Sequence, residues 1–295
     1  MVQHDRVQQT VMHVFMIILT LCCVLPFILM VSASFTEEAA LARDGYRFIP
    51  EHFSLETYSY LIKSAKTILK GYGMTILVTA VGTLSNLTLT ILFAYPLSRR
   101  DLPYRGVLSF ILFFTMLFNG GLVPTYMMYS NIFHIKNTIW ALIVPSLMMN
   151  AFYVIMMRSF FTSSIPDALI EAAKLDGASE LGVLTKIILP LSKPMIVTLV
   201  LMVGLNYWND WMNGLYYVKD QNLYTVQMIL NNMINNIEFL SRNAAMFGAD
   251  AAKVNLPTIG IRMGIAVIAV LPVMIIYPFL QKYFVKGIVI GGVKG

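Results

Sequence analysis

The chain has 295 residues, 58% of them apolar and 12% charged, whereas soluble globular proteins run near ~45–50% and ~25%. That leaves too little charge to cover a water-facing surface, so lipid is expected around much of the molecule. The net charge of +6 arises from 21 Lys and Arg against 15 Asp and Glu; the basic residues cluster at the ends of apolar runs and form no stripe, which argues against a nucleic-acid partner.

In chain order, Val14 to Phe35 carries no formal charge over 22 positions, enough to cross ~30 Å of hydrocarbon at 1.5 Å per residue. A cleaved signal peptide is the rival reading, with Arg6 upstream and Ala33 downstream; the apolar run is long for such a segment. Cys22 and Cys23 sit inside it, adjacent, without disulfide or metal spacing. Four further runs follow: Gly71–Ser98, Gly106–Ser130, Asn137–Met157 and Met195–Asn209, the last interrupted by Asp210 and extended by Trp211–Val218. A final run from Thr258 to Gln281 holds Arg262 as its one charge. These read as six helices of an all-α polytopic membrane protein, because unpaired backbone groups in lipid exclude open sheets.

Six spans place both termini on one side. Arg99, Arg100 and Arg105 occupy the second-to-third connection, whereas Asn131–Lys136 holds only Lys136, and Lys282, Lys286 and Lys294 follow the last run. By the positive-inside rule the termini and the 158–194 interval face the cytoplasm of a bacterial inner membrane, with 36–70 and 219–257 outside. The whole of 1–295 is expected to be one transmembrane domain.

The most informative stretch runs from Ser164 to Gly182. Ser163 or Ser164 is placed to cap a helix, Pro166 suits its first turn, and Asp167 suits its positive end. Ile165 and Leu169 are spaced for a staple. Gly177 permits a turn, and a second short helix is expected from Ser179 towards Leu189. Leu169, Ala172, Ala173 and Asp176 share one side of the first helix, small enough for close approach by a partner's groove. Resting on lipid headgroups is the alternative, since the charges of the stretch balance.

Glu171-Ala172-Ala173, three residues, Gly177, nine residues, Ile187, one residue, Leu189-Pro190: this pattern resembles the EAA loop of binding-protein-dependent ABC importer permeases. Phe53-Ser-Leu-Glu-Thr-Tyr58 and the tail Val285–Gly295 are similar to the second permease of maltose-type importers. The resemblance spans nearly the whole chain and implies the type I importer permease fold. It implies four companions: a homologous second permease, two cytoplasmic ATPases holding ATP and Mg2+, and an extracytoplasmic solute-binding protein. In that family Glu171, Ala172, Ala173, Leu175, Asp176, Gly177 and Ala178 would form the ATPase-coupling helix, and the tail would reach towards the ATPases. The chain itself is expected to bind no cofactor and to catalyse nothing. It has no Gly-rich loop followed by Lys and Ser/Thr, and His4, His13, His52 and His134 belong to no metal-site spacing.

Polar residues inside spans are costly unless they face protein or water. The densest group is the run Asn206–Gly214, with Asn206, Trp208, Asn209, Asp210 and Trp211 as its solute-path candidates. Asn206 and Asp210 are expected on one helix face, and the two tryptophans can stack on sugar rings; an aromatic belt at the outer interface is the competing reading. Asn119, Tyr126, Asn150 and Tyr153 are the other candidates for a solute path, and Pro145 is placed to bend the fourth helix. Arg262 either snorkels to the outer surface or meets an anionic solute, and pairing with Asp210 is a third option. Gly120-Gly-Leu-Val-Pro-Thr-Tyr126 and Trp208-Asn-Asp-Trp211 depart from the maltose permease and look closer to permeases for complex oligosaccharides, the alginate importer among them. An oligosaccharide, acidic in one reading, is therefore the expected solute. An amino acid, a phosphate, or ion-coupled transport without an ATPase stand as alternatives; no internal repeat supports the last.

Overall fold

The computed structural model describes residues 6–145, 147–242 and 258–292, and among these only helices, turns and a single bridge between Thr36 and Phe53 form. Contacts divide the chain into two units, Met1–Ile68 with Leu230–Val273, and Leu69–Ile229 with Met274–Gly295.

The first unit begins with α1 (Arg6–Ser34), a continuous helix that keeps Pro26 inside it. From residue 8 to 28 its side chains are exposed all round, the condition of an apolar helix whose neighbours are lipid or another chain. After Ser34 the chain turns back: the Phe35 carbonyl accepts from Ser54 N at 2.8 Å and Glu37 N donates to the His52 carbonyl at 3.0 Å. Phe35 stacks between Phe53 and Tyr58, at centroid distances of 5.5 and 4.6 Å. Two short helices follow, α2 (Glu38–Asp44) and α3 (Glu56–Lys63). Glu38 reaches the start of the last helix, where its two carboxylate oxygens accept from Ile259 N at 2.9 Å and Gly260 N at 3.0 Å. A carboxylate there satisfies amides that have no partner within the helix and meets the positive end of its dipole.

The second unit takes up most of α4 (Ala65–Ser98). The expected third span is not one straight helix. Instead α5 (Arg105–Leu117) and α6 (Leu122–Met127), with the π-turn Met128–Ile132, meet at 111°. The break is built from Asn119, whose Oδ1 accepts from Gly121 N at 2.9 Å, and from Gly121 at φ +86°, a conformation that L side chains resist.

The expected fourth span is also broken. α7 (Trp140–Ile143) ends before Pro145, and α8 (Ala151–Ser164) starts only after Asn150 caps it by accepting from Phe152 N. Irregular backbone survives at membrane depth where protein satisfies its polar groups. Three side chains do so here: Tyr207 Oη donates to the Ile143 carbonyl at 2.9 Å, Asn213 Nδ2 to that of Pro145 at 3.0 Å, and Asn86 Nδ2 to that of Leu147 at 2.6 Å.

The chain continues through α9 (Asp167–Leu175), α10 (Glu180–Val183), a π-turn at Leu184–Ile188, α11 (Leu189–Leu191) and α12 (Lys193–Asn209). It ends with α13 (Met212–Tyr217), α14 (Val226–Arg242) and α15 (Thr258–Gly292). The core of the second unit joins Leu142, Val154, Met157, Val183, Leu199 and Tyr207. Among the described residues three helices are long and apolar enough to cross a membrane, Gln8–Ser34, Ala65–Ser98 and Ile259–Phe279, and the bent pairs 105–132 and 180–209 raise the number to five. The protein is thus an all-α, multi-span membrane protein. Residues 243–257 of the expected outward segment 219–257, Ser146 and the tail residues 293–295 lie outside the described residues.

Candidate functional site

α9 is a helix with one side anchored and one side open. Ile165 and Ile170 are buried in the core of the second unit, joined by Val183, Leu184 and Ile188 from the following turns, and Ala173 packs against them. Glu171, Ala172, Asp176 and Ala178 are exposed, Leu169 is half-open, and Leu175 is 89% exposed. The expected small-residue face is therefore open except at Ala173, which turns inward. The expected caps differ. Ser163 and Ser164 finish α8, and Pro166, extended at ψ 133°, precedes α9 without a side-chain cap. Leu169 points away from the core, so the apolar pin is Ile170.

Behind α9 the chain closes a two-bond turn. Gly177 at φ +81° donates to the Lys174 carbonyl at 3.0 Å, and Ala178 N donates to that of Ala173 at 2.9 Å. This pairing with a left-handed glycine stops a helix sharply. Ser179 then caps α10 by accepting from Gly182 N at 3.2 Å, at the point where the second helix was expected to start.

Charges tie this element to the α4–α5 connection. Lys174 Nζ lies 2.5 Å from Glu180 Oε1 and 3.8 Å from Asp101, Arg100 stands 3.7 Å from Asp167, and the Tyr95 hydroxyl donates to Glu180. The Glu180 carboxyl is held below its usual range, chiefly by the hydrogen bond from Lys174 and next by that from Tyr95. Glu171, in contrast, has neither ion pair nor hydrogen bond among the described residues, which leaves its carboxylate open to another chain.

The second feature is an open cavity of about 320 Å³ in the second unit, lined by Asn119, Thr125, Asp210, Asn213, Tyr216 and Tyr217 among others. Two expected solute-path residues, Asn119 and Asp210, thus meet in one space. Tyr126 adjoins it: its ring stacks on Tyr217 at 5.4 Å, and its hydroxyl accepts from Lys136 Nζ at 2.5 Å. Tyr217 is fixed from outside by Asn137, whose N donates to the Tyr217 carbonyl at 2.8 Å and whose Oδ1 accepts from Lys219 N and Asp220 N.

The other candidates separate. α12 ends at Asn209, and Asp210 is extended at ψ 118°, so Asn206 and Asp210 do not share a helical face. Asn206 Nδ2 donates to Tyr153 Oη at 2.7 Å, tying α12 to α8. Trp208 is buried, its ring 6.2 Å from that of Tyr72, and is not open for sugar stacking. Asn209 and Trp211 are exposed without lining this cavity, and Asn150 serves as the cap of α8. Arg262 belongs to the first unit, where its Nε is buried without a partner. Of the cavity residues, Asn213 belongs to the expected polar run 206–214, whereas Thr125, Tyr216 and Tyr217 lie within one or two turns of residues that the sequence singled out. Among the described residues no group of three or more His, Cys, Asp or Glu is placed to hold a metal.

An all-α, multi-span membrane chain with an open helix between its apolar runs fits a transport component, and its relatives make it a permease subunit of an ATP-binding-cassette importer. The chain belongs to the family of binding-protein-dependent transport system inner membrane components, which it matches over residues 2–290. It is 40% identical to protein LplC of Bacillus subtilis (strain 168) over 92% of this chain and 90% of that one. It is 37% identical to the polygalacturonan/rhamnogalacturonan transport system permease protein YtcP of the same organism, over 99% of both chains. A chain in the crystal structure of a bacterial ABC transporter involved in the import of the acidic polysaccharide alginate is 28% identical and superposes with a TM-score of 0.79, covering 96% of this chain and 99% of that one.

Proposed function

We propose that this permease carries an acidic oligosaccharide across the bacterial inner membrane, paired with a homologous permease, driven by two cytoplasmic ATPases and supplied by an extracytoplasmic solute-binding protein. Six spans with both termini in the cytoplasm fit this role, with 36–70 outside and 158–194 inside. The broken run 137–157 counts as the fourth span.

The observation that carries the reading is the anchored helix α9, with Leu175 open, Glu171 unpaired and Gly177 in the left-handed turn behind it. Each ATPase, holding ATP and Mg2+, would grip one such helix through residues 171–178. Because Ile165 and Ile170 sit in the packed core of the second unit, a displacement of α9 passes to α8 and α12 instead of being absorbed by a loose loop. Closing of the ATPases then shifts the permease between two packings.

The relatives that handle acidic polysaccharides support the solute class, as does the cavity: a tyrosine wall for sugar faces, and Asn119, Thr125, Asp210 and Asn213 for hydroxyls. Lys136, at the Tyr126 hydroxyl, supplies a cation beside the tyrosine wall for a uronate carboxylate. Asn206, Tyr153, Asn150, Trp208, Asn209, Trp211 and Arg262 remain candidates for parts of the path that become accessible as the packing changes.

The test is ATPase stimulation of the complete complex with its binding protein in proteoliposomes, across oligogalacturonides, alginate oligomers, neutral maltooligosaccharides and amino acids. Acidic oligomers are expected to stimulate most. A response confined to neutral sugars removes the acidic solute, and one confined to amino acids overturns the solute class.

A further inference from the structure

A second cavity, of about 450 Å³, lies between α4 and α5, lined by Leu92, Phe93, Leu97, Leu108, Ile111 and Met149 among others, with Thr115 near its far end. Its lining is nearly all apolar, and Leu92, Leu108 and Ile111 stand about half open. From Leu89 to Leu97 it follows nine residues of α4, eight rises of 1.5 Å or ~12 Å.

At the end of this groove beside Leu97 and Leu108 stand two arginines. Arg105 Nε donates to the Leu97 carbonyl at 3.0 Å, and Arg158 donates to Ser109 Oγ at 3.3 Å. Ser109 is four residues from Arg105 on α5, hence on the same face, so the two guanidiniums are neighbours and repel one another. Their surroundings contrast with those of Arg99 and Arg100, which lie within 4 Å of Asp101 and Asp167; Arg105 and Arg158 pair with no carboxylate among the described residues. Arg105 also stands at the positive end of α5, where a cation does not stabilise the helix. Each guanidinium has five N–H groups, and each uses one in the bonds above.

Two like charges held together at the rim of an apolar groove imply an anion with a hydrocarbon tail. We propose that this groove is a site for an anionic phospholipid of the inner leaflet, its phosphate bridging Arg105 and Arg158 and one acyl chain lying along Leu92, Leu97 and Ile111. Basic pockets between membrane helices on the cytoplasmic side take such headgroups, and the phosphate would also relieve the repulsion between the arginines. The site rests on the orientation given above only for its leaflet, and the assay below needs neither solute nor ATP, so its outcome is independent of the transport reading.

The test uses the complete purified complex, delipidated in detergent and supplied with phosphatidylglycerol or phosphatidylcholine at matched mole fraction. Bound lipid is quantified by mass spectrometry, and the thermal midpoint is followed. Phosphatidylglycerol is expected to be retained preferentially and to raise the midpoint further than phosphatidylcholine does. Arg105→Gln with Arg158→Gln should weaken its retention by about tenfold or more, the scale of losing one charge-assisted hydrogen bond, whereas the double Lys variant keeps most of it. Ile111→Trp, which fills the groove and leaves both arginines intact, should weaken retention too. Equal behaviour of the two lipids in the wild type overturns the site, as does an unchanged preference in the Gln or Trp variants. Cross-linking of Ile111→Cys to the second permease would assign the groove to a protein interface and overturn it as well.

Discussion

Lys174 and Glu180 face each other across the Gly177 turn, with Nζ 2.5 Å from Oε1, so the last turn of α9 is clasped to the first turn of α10. Both side chains are more than a third exposed, and a pair of this kind contributes at most ~1 kcal/mol. Its direction with pH is nevertheless fixed. The Glu180 carboxyl is lowered, first by Lys174 and then by Tyr95. A lowered carboxyl stabilises the fold fully above the ordinary carboxylate value of ~4.3, and the contribution is lost as pH falls through the lowered value. Glu180→Gln should therefore lower the thermal midpoint of the complex slightly at pH 7 and flatten its decline below about pH 5. Superimposable pH profiles for wild type and variant would remove the clasp from the account.

Gly177 tests the turn without touching a packed surface. A Cβ built there meets no atom within 4 Å, so a substitution costs only what the left-handed backbone at φ +81° costs, ~1–2 kcal/mol for an ordinary L residue. Asn adopts this conformation more readily than Leu. Gly177→Leu is expected to assemble but to transport several-fold less solute per ATP hydrolysed, with Gly177→Asn in between. Transport and hydrolysis measured together in proteoliposomes give the ratio. Wild-type coupling in Gly177→Leu would mean that the angle between α9 and α10 does not matter.

The helix–turn–helix of α9 and α10 was legible because its determinants are local. Gly177, Ser179 and Pro166 act within a few residues of themselves, and the structure places a helix, a turn and a second helix where these residues ask for them. Even there, the anchoring side was misjudged, because only the packed core decides that Ile170 and not Leu169 turns inward. The break at Pro145 was legible only as a bend. Its carbonyls are satisfied by Asn86, Tyr207 and Asn213, which lie 61 to 68 positions away, and hydropathy cannot see such partners. For the same reason the aromatic run 206–211 looked like one surface, although the chain changes direction at Asp210 and buries Trp208.

Tyr207 explains why α4 carries a glycine where it does. A Cβ on Gly82 would lie 2.4 Å from Tyr207 Cζ, and the ring cannot retreat without giving up its hydroxyl bond to the Ile143 carbonyl at 2.9 Å. Gly82→Leu should destabilise the second unit by about 1–3 kcal/mol, as overpacking does. Tyr207→Phe should cost about 1–3 kcal/mol through the orphaned carbonyl. The combination Gly82→Ala with Tyr207→Ala should lose less than the sum of the two single losses, a coupling that a double-mutant cycle on thermal midpoints reads directly. Strict additivity would mean that the two positions are not in contact.

Glu38 fixes the start of α15 from α2. Its oxygens accept from Ile259 N and Gly260 N, and loss of a side-chain cap costs ~0.5–2 kcal/mol. Glu38→Ala should speed hydrogen exchange at these two amides by about 2- to 30-fold, the same range expressed as a ratio. Amides beyond the first turn, which bond within the helix, should change little. Uniform acceleration along α15 would point to general loosening instead of a lost cap.

Asp210 decides whether the cavity recognises solute or only organises the chain. Its Oδ1 accepts from Asn213 N at 3.3 Å, and Asn213 in turn holds the Pro145 carbonyl, so removing the whole side chain disturbs both neighbours. Asp210→Asn keeps the carbonyl acceptor and removes the charge. If the carboxylate bonds solute hydroxyls, that variant should fold normally yet transport several-fold more slowly, since hydrogen bonds to charged groups are worth ~1.5–3 kcal/mol against ~1 for neutral ones. Tyr217→Leu should also slow transport by removing the ring that stacks on Tyr126. Tyr217→Phe, which retains that ring, should transport nearly as wild type does. Initial rates of labelled oligosaccharide uptake, normalised to assembled complex, separate these outcomes. If Asp210→Asn and Tyr217→Leu both transport at the wild-type rate, the cavity lies off the path.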